Sequence, residues 1–411
     1  MNILHLVQAY HPAIGGSEWL TKNLAEQLAS RYGDRVTVFT SNAYKTESFW
    51  RGKGPFMPAG SEKINGVTVR RFPVFNRLQF VRELLARGAY RLRLPGNDWL
   101  RTIQTGPIIP ALPKAIAGHG AQIVFATAFP FLHMHYALAG ARRARIPVVL
   151  LGALHVADKW GYERQIIYRA IQRADAYIAH TTFERDYLIG RGIDAAKISV
   201  IGAGVNAGRY AQADGSIVRR RYGWGNKPVI GVIARQSALK RLDLLIAAMP
   251  AVWSSYPDAQ LLLAGARTSH SPQLEQMIAR LSRRSQVTMV NDFDEADKAN
   301  LIAACDIIAH PSGNESFCIA LIEAWAGGKA VIGVRAGAIP SVIAAGQDGL
   351  LADYLDAASM AQAIVTLLDN PAQRDKMGEN GRKKVERHYT WETVTAKLRR
   401  VYERIAAPHK Q

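Results

Sequence analysis

Cysteine is scarce in this chain of 411 residues: there are two, Cys305 and Cys318, both inside apolar runs. That excludes a disulfide-stapled scaffold and a cysteine-based zinc module. No H-E-x-x-H or comparable spacing occurs among the 11 histidines, so no catalytic metal is expected. The G-x-G-x-x-G fingerprint is missing as well, which disfavours a dinucleotide-dependent oxidoreductase. Long hydrophobic runs are absent. The nearest approach, residues 123–141, carries no charged side chain, but Pro130, His133 and His135 interrupt it, as a strand–turn–helix would be interrupted. Met1-Asn2 leads straight into a short apolar run, with no room for a secretory core and cleavage site. The expectation is a cytoplasmic protein, at most peripheral on the inner face of a membrane.

Acidic residues are also in short supply. There are 33 Asp and Glu against 52 Lys and Arg, a net charge of +19, which predicts an anionic partner. Residues 1–206 hold 26 basic and 13 acidic side chains, and residues 207–411 hold 26 and 20. The excess is densest at 70–101, where eight arginines face only Glu83 and Asp98. No arginine-rich tail, RNP-like aromatic motif or Cys/His finger accompanies it, so nucleic acid is not the expected partner.

Short apolar runs alternate with amphipathic ones along the chain. Strands are expected at 2–8, 35–40, 67–72, 123–127, 148–151 and 176–179, with Ser17 capping a helix that carries Leu20, Leu24 and Leu28. Around 201–209 the rhythm breaks in a linker-like IGAGVNAGR. A second series follows at 229–234, 261–264, 287–290, 307–310, 330–334 and 349–351. Two βα series predict an α/β protein of two doubly wound, Rossmann-like domains facing across a cleft: 1–205, and 206–388. The tail from Pro371 to about Ala407 reads as helical. Ligands of such sheets sit at the carboxyl ends of the strands.

Four features lie there. In HPSGNESFCIALIEAWAGGKAVIG (310–333) a helix is expected to start near Ser316, offering free amides to a phosphate. Glu315 stands at its start and Glu323 within it. Glu323 could accept ribose hydroxyls, or the two could merely complement the dipole and the solvated helix face. Arg235 and Lys240 follow the strand at 229–234 and could neutralise a diphosphate, or form an ordinary basic loop. Gly15-Gly16 would let backbone approach a ligand, or make a plain turn. His155 follows the strand at 148–151 and could meet a sugar hydroxyl, or be structural. His11, His133, His135 and His180 are read as structural.

Together these segments resemble the retaining GT-B glycosyltransferases of family 4 (glycosyl transferases group 1). The likeness runs through YHPAIGGSE (10–18), IPVVLLGALH (146–155), ADAYIAHTTFERDYL (174–188), VIGAGVN (200–206), VIARQSALKR (232–241) and PSGNESFCIALIEAWAGGKAVIG (311–333). It implies a nucleotide-diphosphate sugar as co-substrate and no cofactor or metal. The C-terminal domain would bind the donor and the N-terminal domain a glycan or lipid-linked hydroxyl acceptor. Arg235 and Lys240 would hold the diphosphate, Glu315 the donor sugar and Glu323 the ribose. Amides at Ser316, Phe317, Cys318 and Ile319 would face phosphate or sugar oxygens, Gly15 and Gly16 would close on the diphosphate, and His155 would approach the sugar. Glu315, His155, Arg235 and Lys240 are the expected catalytic set. The last helix, about 389–407, would pack back on the N-terminal domain. Two departures stand out. Ser316 and Cys318 replace the glycines of the family's Gly-Phe-Gly, and Ser341 stands where many members have Glu. A GT-B epimerase acting on donor alone, and a non-catalytic nucleotide-sugar-binding protein, are the alternatives.

At helical spacing Leu78, Val81, Leu84, Leu85 and Leu92 share a face flanked by Arg82, Arg87, Arg91 and Arg93. Two readings stay open. In one, residues 77–101 lie on an anionic membrane surface. In the other, the helix packs its leucines inward.

Overall fold

Runs of apolar residues form strands that alternate between two buried faces. The computed structural model describes residues 1–13, 15–45, 48–49, 54–291 and 293–406, and Glu295 through its backbone alone. Asp292 lies outside the described residues, as do Ile14 and Ala407, which fall within the expected loop of 10–18 and the expected helical tail.

The chain divides into two units, Met1–Gly202 with the helix Trp391–Ala406, and Ala203–Thr390. The first unit holds β1 (Asn2–Val7), β2 (Arg35–Ser41), β3 (Gly60–Ile64), β4 (Val67–Phe72), β5 (Ile123–Thr127), β6 (Val148–Leu151), β7 (Ala176–Ala179) and β8 (Ile198–Val200). Its sheet runs β3-β4-β2-β1-β5-β6-β7-β8. All neighbours are parallel except β3 and β4. Leu4 and Leu6 of β1 face one core, with Val124 and Ala126 of β5. Ile3 and Val7, with Ile123 and Phe125, face the other. Burial on both faces is what a parallel sheet covered by crossover helices requires.

The second unit repeats the plan with β9 (Val229–Ile233), β10 (Gln260–Ala264), β11 (Val287–Val290), β12 (Ile307–Ala309), β13 (Ala330–Val334) and β14 (Gly349–Ala352), in the order β11-β10-β9-β12-β13-β14. Every pair is parallel. Both units are therefore Rossmann-like α/β folds, the expected class. In the second sheet the order reverses between β9 and β12, which pair Ile230 with Ile307. The crevice of such a switch point opens at the carboxyl ends of these two strands.

The structure adds β3 and β8 to the strands read from the sequence. It also corrects three readings. The segment at 201–209 is not a loose linker, because Ala203 and Val205 are buried and the Val205 amide donates to the Tyr389 carbonyl at 2.8 Å. The first helix, Gly16–Tyr32, is capped by Gly15 rather than Ser17, though Leu20, Leu24 and Leu28 face the core as expected. And the helix Gln79–Arg91 buries only Ala86 and Ala89, so its leucines do not pack inward. The tail is helical as expected, in the helices Pro371–His388 and Trp391–Ala406.

Trp391, Val394, Leu398, Val401 and Tyr402 fall on one face of the last helix and join the core containing Ile3, Val7, Leu20 and Leu24. Its Tyr402 hydroxyl lies 3.0 Å from His5 Nε2, and Arg399 donates to Asp34 at 2.9 Å.

Candidate functional site

The β9–β12 crevice gathers most of the residues singled out in the second unit. Arg235 and Lys240 come from the segment after β9, His310 and Glu315 from the segment after β12. Loop packing fixes both walls. Gly265 lies so close to β9's exit that a Cβ on it would sit 1.8 Å from the Ala234 carbonyl oxygen, and its φ is +157°. Gln236, fully buried, donates through Nε2 to the Gly265 carbonyl at 3.0 Å and to Asn291 Oδ1, while the Thr268 hydroxyl donates to the Gln236 carbonyl at 2.6 Å. The exits of β9, β10 and β11 are thus stitched together by a residue that sequence reasoning missed. Its position between Arg235 and Lys240 was the available signal. This anchors the Arg235 backbone, while its side chain is exposed and has no hydrogen-bond or ion-pair partner among the described residues.

On the other wall, a Cβ at Gly313 would lie 2.8 Å from the Ala336 Cβ, and one at Gly337 (φ +57°) 2.3 Å from the Gly313 carbonyl oxygen. The Ala338 amide donates to the Glu315 carbonyl at 3.3 Å. Glu315 is so held with 8% exposure, and Lys240 Nζ meets its Oε1 at 2.6 Å. His310 Nε2 lies 3.0 Å from the same oxygen. Burial pushes the Glu315 carboxyl up, but the Lys240 charge and the His310 hydrogen bond outweigh it and hold the pKa well below the usual carboxylate range. At neutral pH Glu315 is therefore an anion that can only accept hydrogen bonds.

The helix after this loop is Ile319–Ala326, so it begins at Ile319, three residues later than expected. Ser316 and Phe317 lie in a bend, Cys318 is the N-cap, and Glu315 stands outside the first turn. Of the four expected amides only that of Ile319 belongs to the helix. Phe317 is 3% exposed, its ring against Tyr389 at 5.3 Å, so only its backbone could meet a ligand. Cys318 has φ +76°, the left-handed region that favours glycine, at the position where the family pattern has one. Glu323 is not on a solvated face: it is 2% exposed and takes a hydrogen bond from Lys298, the second residue that sequence reasoning missed.

His310, Glu315 and Cys318 bring ligand-type atoms within 4.8 Å of one another. A divalent cation there would lie beside, and be repelled by, the Lys240 ammonium already held by Glu315 Oε1. It would have to deprotonate Cys318, whose thiol pKa is pushed well above the ordinary value by burial and by the Glu315 charge. In the structure the group is held as an ion pair of Lys240 with Glu315, with His310 on the same carboxylate oxygen.

Gly15, Gly16 and His155 belong to the first unit. Space beside Gly15 is taken by Glu18, whose Oε2 would lie 2.2 Å from a Cβ there, and space beside Gly16 is open. Glu18 accepts from Gln8 at 2.9 Å, which ties the exit of β1 to the helix start. His155 is half-buried with its ring 5.6 Å from that of Tyr162. Glu184, 1% exposed, accepts from the Leu154 amide, the His180 amide and the Tyr177 hydroxyl at 3.2, 2.9 and 2.6 Å, and so fixes the loop that carries His155.

Two family models match the chain. One, described as glycosyl transferases group 1, covers residues 216–384, and the other, glycosyltransferase family 4, covers residues 14–209. The chain is 28% identical over 252 residues to a D-inositol 3-phosphate glycosyltransferase of Streptomyces avermitilis, spanning 59% of this chain and 54% of that one. It is 31% identical over 214 residues to a GDP-mannose-dependent monoacylated alpha-(1-6)-phosphatidylinositol monomannoside mannosyltransferase of Corynebacterium glutamicum, spanning 49% and 55%. The chain thus spans about half the length of these curated relatives (54% and 55%). Among solved structures it is similar to Anabaena HepE in complex with UDP and glucose, with a TM-score of 0.75, 20% identity, and coverage of 99% of this chain and 100% of that one.

Proposed function

Since the chain belongs to the family 4 glycosyltransferases of GT-B fold, we propose that it moves a hexosyl group, with retention, from a nucleotide-diphosphate sugar to a hydroxyl acceptor. The observation that carries this is the β9–β12 crevice. There, Arg235, whose side chain has no partner among the described residues, stands on the same strand exit as Lys240, whose ammonium is paired with a buried Glu315 that is ionised at neutral pH.

The donor diphosphate meets Arg235, whose five donors can clamp phosphate oxygens, and Lys240. As the glycosidic bond breaks, charge grows on the leaving phosphate, and fixed cations stabilise that state more than the ground state. The leaving phosphate oxygen takes the acceptor's proton on the face where the acceptor attacks, so no protein nucleophile and no metal is needed. Glu315 accepts hydrogen bonds from donor-sugar hydroxyls, with Lys240 and His310 keeping it charged. Glu323 is assigned to the ribose, Gly15 and Gly16 to the diphosphate. His155 is assigned as a hydrogen-bond donor to the transferred sugar. The second unit takes the donor and the first the acceptor. The relatives' names carry an inositol phosphate and a phosphatidylinositol glycolipid. These support an anionic or lipid-linked acceptor for cell-envelope glycan synthesis, reached from the cytoplasmic side. No helix among the described residues is long and apolar enough to cross a membrane.

The test is transfer itself. A thermal-shift screen of UDP, GDP, ADP and dTDP sugars identifies the donor, because a ligand bound only by the folded state raises its stability. Transfer from that donor is then assayed with candidate acceptors and the product anomer read by NMR. Glu315→Ala and Arg235→Ala should each lower transfer by about tenfold or more. Near-normal rates in both variants refute the site, and turnover of donor without acceptor favours an epimerase.

A further inference from the structure

The helix Gln79–Arg91 is mounted the opposite way from a domain helix. Its small residues Ala86 and Ala89 face the protein, and its large apolar residues face out. Phe80 is 79% exposed, Leu84 63% and Leu85 54%. Val81 belongs to the same face, and Leu78 and Leu92 extend it beyond either end of the helix. Soluble chains seldom expose so continuous a patch unless something covers it. The mounting is firm. The Tyr90 ring packs on Trp160 at 5.0 Å, with the Arg101 guanidinium 4.6 Å from the Tyr90 centroid.

Charge says what covers it. Arg77, Arg91 and Arg93 are exposed around the apolar face and have no side-chain partner among the described residues, while Arg87 is paired with Glu83 at 2.6 Å. A second copy docking by two-fold symmetry would set these arginines against one another, which costs rather than contributes. A lipid surface matches both components, hydrocarbon for the phenylalanine and leucines and phosphate for the guanidinium groups.

We propose that residues 77–94 dock the protein in-plane on an anionic membrane, with Phe80, Leu84 and Leu85 entering the acyl boundary and Arg77, Arg91 and Arg93 meeting lipid phosphates. The surface lies on the first unit, and the proposal does not depend on which reaction the β9–β12 crevice performs.

The test is co-sedimentation of the full chain with phosphatidylcholine vesicles, with and without phosphatidylglycerol, at low and high salt. Binding to the anionic vesicles should exceed binding to the neutral ones by about tenfold or more and weaken with salt. Leu84→Gln with Leu85→Gln should abolish it. Arg77→Gln, Arg91→Gln and Arg93→Gln together should reduce it by about tenfold or more. All these side chains are exposed, so circular dichroism and melting temperature should be unchanged in both variants. Equal binding to neutral and anionic vesicles overturns the proposal. So does failure to bind either, or a wild-type dimer in sedimentation velocity that the leucine pair alone dissolves.

Discussion

Cys318 illustrates how a single side chain records a departure from the family pattern. Its φ of +76° costs a residue with a Cβ about 1 kcal/mol that glycine does not incur. Truncation to alanine keeps the strain and loses the buried sulfur. Cys318→Gly should therefore be more stable than Cys318→Ala by about 1 kcal/mol in urea denaturation, the reverse of the usual alanine-over-glycine order. Glu315 makes a second prediction. Glu315→Gln leaves the Lys240 ammonium without its anion, costing about 2 kcal/mol at neutral pH after allowing for Lys240's partial exposure. Because the folded carboxyl titrates below its unfolded value, its contribution is complete above about pH 4.3 and is lost as pH falls through the folded pKa. The gap between variant and wild type should narrow as the pH is lowered from 5 to 3.

Among the elements, the last helix shows how local pattern and distant packing combine. Leu398 is fully buried against strands at the other end of the chain, so Leu398→Ala should cost about 2–5 kcal/mol by chemical denaturation. Central strands were legible because runs such as LLLA at 261–264 are apolar on both faces. The two missed strands lack that signal: β3 is GSEKI, exposed along most of its length, and β8 is three residues at a sheet edge. The Asn65-Gly66 pair, both at positive φ, was the readable sign of the β3–β4 hairpin. Arg235, Lys240 and Glu315 were legible as candidates because strand exits in doubly wound sheets carry function. That Lys240 pairs with Glu315, and Lys298 with Glu323, was not legible, since these partners are far apart in sequence. The start of the helix at Ile319 was hidden too, because nothing in ESFC announces a left-handed N-cap.

For the whole molecule, buried histidines set the acid limit. Burial lowers His5 to about 3 and His133 and His135 to about 4. Each lies below the unfolded value, so the unfolded chain takes up more protons below about pH 6.5 and stability falls with pH. Each should contribute a loss of about 2 kcal/mol between pH 7 and pH 5. In His135→Phe the slope of stability with pH should be shallower by one such share. The His135 ring lies 5.2 Å from that of Trp99, and its Nε2 has no partner among the described residues, so the exchange breaks no hydrogen bond there.

The proposed transfer rests on the β9–β12 crevice binding a nucleoside diphosphate through Arg235 and Lys240. Isothermal titration of UDP, GDP, ADP and dTDP into the wild-type protein and Arg235→Ala tests it most directly. At least one of the four should bind the wild type, and the substitution should weaken that binding by about tenfold or more through loss of a charge-assisted contact. Binding of none of the four, or equal affinity in both proteins, would contradict it.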